Sequence, residues 1–429
     1  MTSVLVDDIF VERESAVRSY CRSFPHVLAQ ARGSLVHDTD GRAYLDFLAG
    51  AGTLNYGHND PDMKAALIDY IVGDGIAHGL DLHTAAKRDF LAAFSDVILA
   101  PRGLAHRVQF TGPTGSNAVE AALKLARRVT GRANVIAFTN AFHGVTVGSL
   151  AVTGNRHHRM APTQGLNGVT RMPYDGYHGP GIDTAELLAR TLADPSSGVD
   201  APAAIILEVV QGEGGLNTVS PAWLQQVAEI AAENGALLIV DDCQAGCGRT
   251  GTFFSFEGTG VVPDLVVLAK SLSGFGLPMS VLLIRPDLDR WLPGEHNGTF
   301  RGNAHAFVTA EVALHKFWSD DELSRDVGRR AALVGARLSE FAGVVPGARR
   351  KGRGMMQGLD VRDADLSEAV RRTCIANGLL IEASGPNDEV IKVMAPLTTP
   401  DDLLLRGLDI LGDALNEHLA GSRVRDLVG

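Results

Sequence analysis

Six short apolar runs, separated by helical patterns, constrain the fold of this chain most strongly. Each run is apolar on both faces, as expected for a strand in a sheet that is covered on both sides. The runs are residues 107–110, 134–138, 203–210, 236–240, 265–269 and 280–284. Helical periodicity lies between them at 116–129 and at 221–235, where Gly235 predicts a left-handed C-cap. The alternation predicts an α/β fold with a mostly parallel, doubly wound sheet.

The two ends of the chain differ from this alternating centre. A long helical region is predicted at about 306–340 and another helix at about 400–419, with a few short strands nearby. We therefore assign residues 56–305 to a large domain, and residues 1–55 and 306–429 to a smaller α+β domain built from both chain ends. A chain of 429 residues is long enough for two such domains.

Charge and apolar patterning disfavour several classes of partner. The 50 acidic residues outnumber the 39 basic ones and no basic tract occurs, which argues against nucleic acid or an anionic membrane. The apolar runs fall far short of the roughly 20 residues that span a bilayer, and no secretory signal pattern opens the sequence. The four cysteines lack the spacing of a disulfide framework. We expect a cytoplasmic protein without a membrane or nucleic-acid partner.

Polar or glycine-rich residues follow five of the runs, and open α/β sheets bind ligands at such strand ends. Lys270, one of only seven lysines, directly follows one run. An isolated lysine there usually extends to solvent, but Schiff-base chemistry requires a desolvated amine at such a place. Asp241 and Asp242 end another run, and strand alternation turns Asp241 and Cys243 to one face. A carboxylate at this position can keep the ring nitrogen of a pyridoxal cofactor protonated.

A turn at Gly115 and Ser116 opens the helix predicted at 116–129. Such a turn offers unpaired backbone amides and the positive end of the helix dipole, which suit a phosphate. Ordinary N-capping by Ser116 or Asn117, with Glu120 completing a capping box, is the alternative interpretation. The phosphate interpretation gains weight because pyridoxal phosphate needs this third element.

Other strand-end residues complete the predicted cofactor site. Phe142 and His143 follow a run and place an aromatic ring where it can stack on the cofactor, although a core phenylalanine is the default interpretation. Gln244 lies near enough to Asp241 to reach the ring hydroxyl. Residues 246–251 match the G-x-G-x-x-G spacing of a dinucleotide fingerprint, but the preceding aspartates would repel a pyrophosphate. No metal site is recognisable among the cysteines and histidines.

The strings TGPTGSNAVEAALKLAR, FHGVT, EVVQGEGG, VDDCQAGCGRTG, KSLSG and GTFRGN, in this order, resemble the class III aminotransferases. The resemblance runs from about residue 12 to about residue 415, and it implies fold type I of the transferases that depend on pyridoxal 5'-phosphate. It also implies a homodimer, or dimers paired into tetramers, with a shared active site. The resemblance implies that Lys270 is the Schiff-base lysine, Asp241 the pyridinium partner and Gln244 the contact to the ring hydroxyl. Phe142 would be the stacking ring, and we count the adjacent His143 among the cofactor-binding residues. Gly115 and Ser116 would hold the phosphate, joined by Thr299 from the neighbouring subunit.

The resemblance also bears on the substrate. Glu213 matches a family glutamate that pairs with a basic residue and moves away when a substrate carboxylate arrives. Lys392 stands where an arginine is expected, and lysine neutralises a carboxylate without gripping it through two hydrogen bonds. Ala51 stands where ornithine-using relatives have tyrosine. Longer strings such as HGLDLHT resemble members that move the amino group of L-glutamate to aspartate 4-semialdehyde, giving L-2,4-diaminobutyrate for ectoine biosynthesis.

Several alternatives stay open. One is another class III aminotransferase of terminal amines, acting on 4-aminobutyrate, acetylornithine or an ω-amino acid. A second is a decarboxylase or racemase of the same fold, and a third, a transcriptional regulator, is disfavoured because only about fifteen residues precede the matched region. The contacts to the distal α-amino and α-carboxylate groups of the aldehyde are not fixed by the sequence, and residues 55–56 and 78–84 are candidates.

Overall fold

The computed structural model describes residues 8–160 and 165–428, with side chains from residue 9 to residue 420 outside that gap. Residues 1–7 and 429, which belong to the predicted small domain, lie outside the described residues. Within the described part of the chain, no helix combines the length and the apolar character needed to cross a membrane.

The described residues form short strands and longer helices in alternation. The strands are β1 (Leu28–Arg32), β2 (Leu35–Asp38), β3 (Ala43–Asp46), β4 (Arg107–Phe110), β5 (Val135–Phe138), β6 (Val169–Met172), β7 (Ala204–Leu207), β8 (Val210–Gln211), β9 (Asn217–Thr218), β10 (Leu237–Asp241), β11 (Leu265–Leu268), β12 (Val281–Ile284), β13 (Arg349–Arg353), β14 (Met356–Asp360), β15 (Leu379–Leu380), β16 (Glu382–Ser384) and β17 (Val390–Val393). The helices are α1 (Asp8–Arg13), α2 (Tyr20–Ser23), α3 (Ala49–Gly52), α4 (Pro61–Val72), α5 (Ala85–Ala93), α6 (Gly115–Thr130), α7 (Val147–Val152), α8 (Thr184–Ala193), α9 (Pro221–Glu233), α10 (Ala304–Trp318), α11 (Glu322–Val344), α12 (Ala364–Ala376) and α13 (Asp401–Val428).

A seven-stranded sheet forms the centre of the fold, in the order β4-β12-β11-β10-β7-β5-β6. Every neighbouring pair is parallel except the two made by β12, which runs antiparallel to β11 and to β4. All six predicted runs contribute strands to this sheet, so the predicted mostly parallel α/β fold is confirmed. The edge strand β6 was not predicted from the sequence. Only Met172 among its four residues is buried, so the strand has no continuous apolar run.

Two sequence predictions differ from the observed elements. The run predicted at 203–210 leaves the large sheet after Leu207, because the Glu208 side chain turns to accept hydrogen bonds from two loops. The helical region predicted at about 306–340 is two helices, α10 and α11, separated by the polar segment at 319–321. Gly235 has the predicted left-handed conformation, with φ +59°, just after α9.

Two smaller sheets lie in the segments toward the chain ends. One has the order β1-β2-β3-β15, and its β15 runs parallel to β3, so residues from the beginning and the end of the chain share a sheet. The other has the order β13-β14-β17-β16 and contains Lys392. The domain limits at residues 55–56 and 305–306 stay a prediction.

Candidate active site

Lys270 and Asp241 lie at the same edge of the large sheet. Strands β10 and β11 are parallel neighbours in which Asp241 pairs with Val267, and Lys270 follows three residues later. The Lys270 backbone is left-handed, with φ +53°, as the chain leaves β11 for a short 3-10 turn. Among the described residues, no hydrogen-bond acceptor or ion-pair partner engages its Nζ. The amine at the strand end is therefore not held by a hydrogen bond or an ion pair of the described chain, as a covalent cofactor link requires.

Asp241 is held by a buried histidine from the loop after β5, a strand that β7 separates from β10 in the sheet. Nδ1 of His143 lies 2.8 Å from Oδ2 of Asp241, and the backbone N–H of Cys243 donates to Oδ1 at 3.2 Å. Burial raises the pKa of Asp241, but the hydrogen bond and the charge of His143 outweigh burial and lower it. Burial lowers the pKa of His143, and its contact with Asp241 reverses this and raises it. Asp241 is therefore held as a carboxylate, which is the form that stabilises a protonated ring nitrogen.

The neighbouring Asp242 has a different environment. Its Oδ2 accepts a hydrogen bond from the backbone N–H of Ser255 at 2.9 Å, whereas Oδ1 is buried without a partner among the described residues. Burial raises the pKa of Asp242 to about 7. The pKa values of the two adjacent aspartates are therefore shifted in opposite directions, and of the two only Asp241 has the lowered pKa that suits a pyridinium partner.

The amino end of α6 is open to an anion. Thr114 caps the helix in a capping box with Asn117, so capping by Ser116 or Asn117 with Glu120 is wrong. Glu120 instead accepts hydrogen bonds from Thr146 at 2.6 Å and from the backbone of Gly148 at 2.8 Å, at the start of α7. Nothing in the described chain accepts from the backbone N–H groups at 115 and 116, which suits a phosphate at the positive end of the helix dipole.

Glycines bring the neighbouring loops close to this helix end. A Cβ atom at Gly115 would come 2.8 Å from Sγ of Cys243, and a Cβ atom at Gly144 would come 2.0 Å from Oγ of Ser116. A side chain at either position would push these loops apart. The two glycines therefore let the strand ends after β4, β5 and β10 meet in one cradle, which fits a phosphate and the ring attached to it.

Glu208 is a site residue that sequence reasoning missed. Its buried carboxylate accepts hydrogen bonds from the backbone of Phe142 at 2.9 Å and of Gly212 at 3.2 Å. Burial raises its pKa to about 7. The Phe142 ring is half-buried and meets the His158 ring edge-on, with centroids 5.3 Å apart. An acidic residue inside an otherwise apolar run was the signal that the strand ends before Glu208.

Gln244 joins the cofactor side of the site to the substrate side. Its Nε2 donates to the carbonyl of Ala51 at 2.9 Å and to Oε1 of Glu213 at 3.0 Å. Its Oε1 is buried and lacks a partner in the described residues, as does Nε2 of His143. Pyridoxal phosphate fits this site. It could use the two unpaired polar atoms, the Lys270 amine and the open amino end of α6.

The Ala51 carbonyl is positioned by a left-handed turn that the sequence did not predict. The φ angles from residue 49 to residue 52 are +47°, +58°, +55° and +88°. Two of these residues are alanines, for which such a conformation costs roughly 1–2 kcal/mol each. A Cβ atom at Gly52 would come 2.9 Å from Cε of Met394 and 3.2 Å from Cγ of Gln244. The strained turn thus brings backbone against the site, where strain of this kind commonly occurs.

Lys392 lies between two carboxylates at the far end of the site. Its Nζ is 3.1 Å from Oε1 of Glu213 and 2.9 Å from Oε1 of Glu382, and its side chain is fully buried. Burial raises the pKa of Glu213, but the charges of Lys392 and Lys270 outweigh burial and lower it to about 2. Glu382 was missed, although the turn residues SGPND between two short apolar patterns indicate a hairpin that pairs it with Lys392.

Other predicted residues lie away from this cluster. Thr299 is exposed in the loop before α10, and its hydroxyl makes no hydrogen bond to the described chain. Asn55 is fully buried, and its side chain bonds Arg249 and Cys247. Tyr56 is buried and accepts a hydrogen bond from Trp318 at 2.8 Å. Packing and internal hydrogen bonds therefore occupy the side chains of both residues, and a substrate contact from the segment around them stays a prediction.

Comparison with known proteins agrees with this geometry. The family described as aminotransferase class III matches residues 17–415. The chain is 53% identical over 410 residues to the diaminobutyrate-2-oxoglutarate transaminase of Vibrio parahaemolyticus, which covers 95% of this chain and 97% of that protein. It is 52% identical over 414 residues to the enzyme of that name from Nocardia farcinica, with 96% and 95% covered. The solved ornithine aminotransferase of Toxoplasma gondii has a TM-score of 0.83 at 26% identity, covering 96% of this chain and 95% of that one. The chain belongs to the class III aminotransferases.

Proposed function

We propose that this aminotransferase moves the amino group of L-glutamate to aspartate 4-semialdehyde, giving L-2,4-diaminobutyrate and 2-oxoglutarate. The near full-length identity to diaminobutyrate-2-oxoglutarate transaminases carries the proposal. As a class III aminotransferase, the protein depends on pyridoxal 5'-phosphate. Ala51 supports the choice of substrate, since ornithine-using members are expected to have tyrosine at this position.

The cofactor would be held by residues from several strand ends. Lys270 would bind it covalently, Gly115 and Ser116 would hold the phosphate, and Asp241 would face the ring nitrogen. Phe142 and Gln244 would contact the ring face and the ring hydroxyl, with His143 acting through Asp241. When bound, pyridoxal phosphate supplies an electron sink for the charge left when a carbon beside the amino group loses its proton.

Lys270 would also move protons during the reaction. With the amino donor bound, the Nζ atom of Lys270 would serve as the general base that takes the donor's α proton and as the acid that delivers it to the cofactor carbon. Asp241, kept as a carboxylate by His143, stabilises the protonated ring nitrogen throughout this transfer.

The far end of the site would distinguish the two substrates. Glu213 pairs with Lys392 when the incoming end of the substrate has no carboxylate, and it leaves when the carboxylate of glutamate arrives. Its side chain is 30% exposed, compared with 0% for Lys392, which is consistent with Glu213 being the mobile partner. The movement of Glu213 would let one pocket accept the carboxylate end of the amino donor and the uncharged aldehyde end of the acceptor in turn.

We also propose a cytoplasmic homodimer whose active sites are shared. The exposed position of Thr299 supports this, because a phosphate contact from the neighbouring subunit requires a side chain free of its own chain. Exposed apolar side chains in the same region include Phe300, which is 67% exposed. Such side chains favour burial against a second copy. Supply of diaminobutyrate for ectoine biosynthesis is the proposed role of the product.

An amino-acceptor screen tests the substrate assignment. The enzyme is first loaded with the amino group of L-glutamate, and each aldehyde is then added while the cofactor absorbance and the amino product are followed. Aspartate 4-semialdehyde is expected to react with the highest kcat/KM. A higher kcat/KM for succinate semialdehyde would replace the assignment with a 4-aminobutyrate aminotransferase, and failure to form 2-oxoglutarate from glutamate would favour a decarboxylase or racemase.

A further inference from the structure

Glu382 and Lys392 face each other across two strands. Residue 382 on β16 is the register partner of residue 392 on β17, in an antiparallel pair. Directly opposed side chains in such a pair have Cβ atoms only about 4.5–5.5 Å apart. The carboxylate and the ammonium meet at 2.9 Å, and their side chains are 10% and 0% exposed. The hairpin therefore fixes this ion pair as a permanent part of the site.

The second carboxylate on Lys392 is held differently. Glu213 lies on the turn between β8 and β9, outside both strands, and its side chain is 30% exposed. Lys392 thus has one partner fixed by strand register and one partner on a turn. When Glu213 leaves, Glu382 remains on the ammonium.

Arrival of a substrate carboxylate therefore creates an excess of negative charge. The cluster already holds two carboxylates and one ammonium, and a displaced Glu213 stays within reach on its short turn. A third carboxylate brings one more negative charge into a buried region, which is costly unless a proton or a cation accompanies it. Besides Lys392, the described cation whose charge reaches Glu213 and Glu382 is Lys270, which would be linked to the cofactor.

We propose that Glu382 takes up a proton from solvent when the carboxylate of the amino donor replaces Glu213 on Lys392. This inference rests on the proposed function for the nature of the donor, a dicarboxylate, and for the displacement of Glu213 from Lys392. Glu382 then acts as a positioning residue: it holds the ammonium at all times and gives up its own charge when the substrate supplies one. The aldehyde substrate brings no carboxylate to this end and causes no proton uptake there.

The surroundings of Glu382 agree with this role. Burial raises its pKa, the nearby charge of Lys392 opposes this, and the charge of Glu213 raises it further, with a raised pKa as the result. Lys270 adds a smaller opposing charge, and the phenol of Tyr20 on α2 lies in the field of the same cluster. Helix α12 packs against β16 and β17 and contributes its buried Cys374 to the main hydrophobic core.

Ser384 shows which way this strand faces. It lies two residues after Glu382 on β16, and side chains two apart share a face. Its hydroxyl donates to the carbonyl of Gly212 at 2.7 Å, beside Glu213. Glu382 therefore lies on the face of the hairpin that borders the substrate end of the site.

Calorimetry with glutarate tests the proposal directly. Glutarate is a dicarboxylate without an amino or keto group, so it binds the holoenzyme without reacting. Titration near neutral pH in two buffers of different ionisation enthalpy gives the number of protons taken up. We expect about one proton for the wild type and close to none for Glu382→Gln, whose side chain cannot be protonated in this range. The wild-type Kd should rise by up to about tenfold per pH unit above the pH of maximal uptake.

Asp388→Asn is the matched control. Residue 388 lies exposed in the turn of the same hairpin, and its φ of +60° is one that asparagine tolerates. This variant removes the same charge and should keep the wild-type proton uptake. Uptake by Glu382→Gln equal to that of the wild type would overturn the proposal.

If Glu382→Gln fails to fold, the pH dependence of the glutarate Kd of the wild type still tests the proposal. A Kd for glutarate that is constant from about pH 6 to 9 would exclude coupled protonation. Failure of glutarate to bind would contradict the premise that a carboxylate replaces Glu213 on Lys392. No aldehyde is present in these titrations. A wrong assignment of the acceptor therefore shows in the aldehyde screen and leaves the calorimetric result unaffected.

Discussion

Nδ1 of His143 lies 2.8 Å from Oδ2 of Asp241, and both side chains are buried at the edge of the large sheet. The histidine comes from the loop after β5 and the aspartate from the end of β10, so two strand ends share this contact. The Asp241 pKa is lowered and the His143 pKa is raised, so each residue stabilises the charged form of the other. The contact thus keeps a negative charge in a buried place where burial alone would neutralise it.

Asp241→Asn should lower kcat strongly while leaving the fold intact. The amide is close in size to the carboxylate but carries no charge to stabilise a protonated ring nitrogen. Loss of one preorganised electrostatic group typically costs on the order of 10²–10³-fold in rate. Steady-state kinetics with saturating glutamate measure the loss. Asp242→Asn is the matched control, since its carboxyl faces Ser255, and an equal loss in both variants would contradict the assignment.

His143→Gln should reduce stability in a pH-dependent way. A histidine whose pKa is raised on folding stabilises the fold fully below its unfolded pKa of about 6.5, and this contribution is lost as pH rises through the folded pKa. The difference in Tm between the wild type and the variant should therefore be largest near pH 6 and shrink toward pH 9. Thermal unfolding at a fixed subunit concentration measures it.

His106→Gln provides a control of opposite sign. Burial lowers the pKa of His106, whose Nε2 lies 2.9 Å from the carbonyl of Pro263. Folding therefore becomes less favourable below its ordinary pKa, and the Tm difference for this variant should grow as the pH rises. If both variants changed in the same direction with pH, the charge state inferred for His143 would be wrong.

The sequence predicted the cofactor side of the site better than the substrate side. Lys270 and Asp241 could be placed together because the carboxyl ends of parallel strands meet at one edge, whatever the loop details. The partners of Lys392 depend on hairpin register and on where a turn ends, and neither follows from periodicity alone. Glu208 was hidden for a related reason, because it lies inside an apolar run that was interpreted as continuous strand.

The left-handed turn at residues 49–52 could not be predicted from local sequence propensity. Two of its four residues are alanines, which local propensity would place in a right-handed helix. Only the surrounding contacts, such as the hydrogen bond from Gln244 to the Ala51 carbonyl, hold the backbone in this form. Tertiary packing decides the conformation here, as it commonly does at functional sites.

Lys270→Ala should abolish turnover. The amine is proposed both to hold the cofactor and to move the proton, so its loss removes two functions at once, and we expect a decrease of at least about 10⁴-fold. The visible absorbance of the protein-linked cofactor should also disappear, which spectroscopy of the purified variant checks. Lys316→Ala is the control, because its Nζ pairs with Asp60 at 2.8 Å away from the site. Substantial activity in Lys270→Ala would exclude the proposed mechanism.

Arg249 should be a major contributor to stability because it joins separate parts of the fold. Its guanidinium is fully buried and donates to Oδ1 of Asn55 at 2.6 Å, to the carbonyl of Ala395 at 2.6 Å and to that of Met355 at 3.2 Å. Burial lowers its pKa to about 9, so the charge is held at a cost that these acceptors offset. Arg249→Met leaves several buried acceptors unpaired, and we expect a loss of about 2–4 kcal/mol in the free energy of unfolding.

Denaturant unfolding of Arg249→Met, Asn55→Leu and the double variant separates pairing from packing. If the hydrogen bonds between the two side chains matter, the double variant should lose less stability than the sum of the single variants, because neither partner is then left alone. Arg285→Gln is the control, because its side chain is 46% exposed and exposed ion pairs contribute roughly 0–1 kcal/mol. Strictly additive losses would mean that Arg249 stabilises the fold through its other contacts and that its link to Asn55 is incidental.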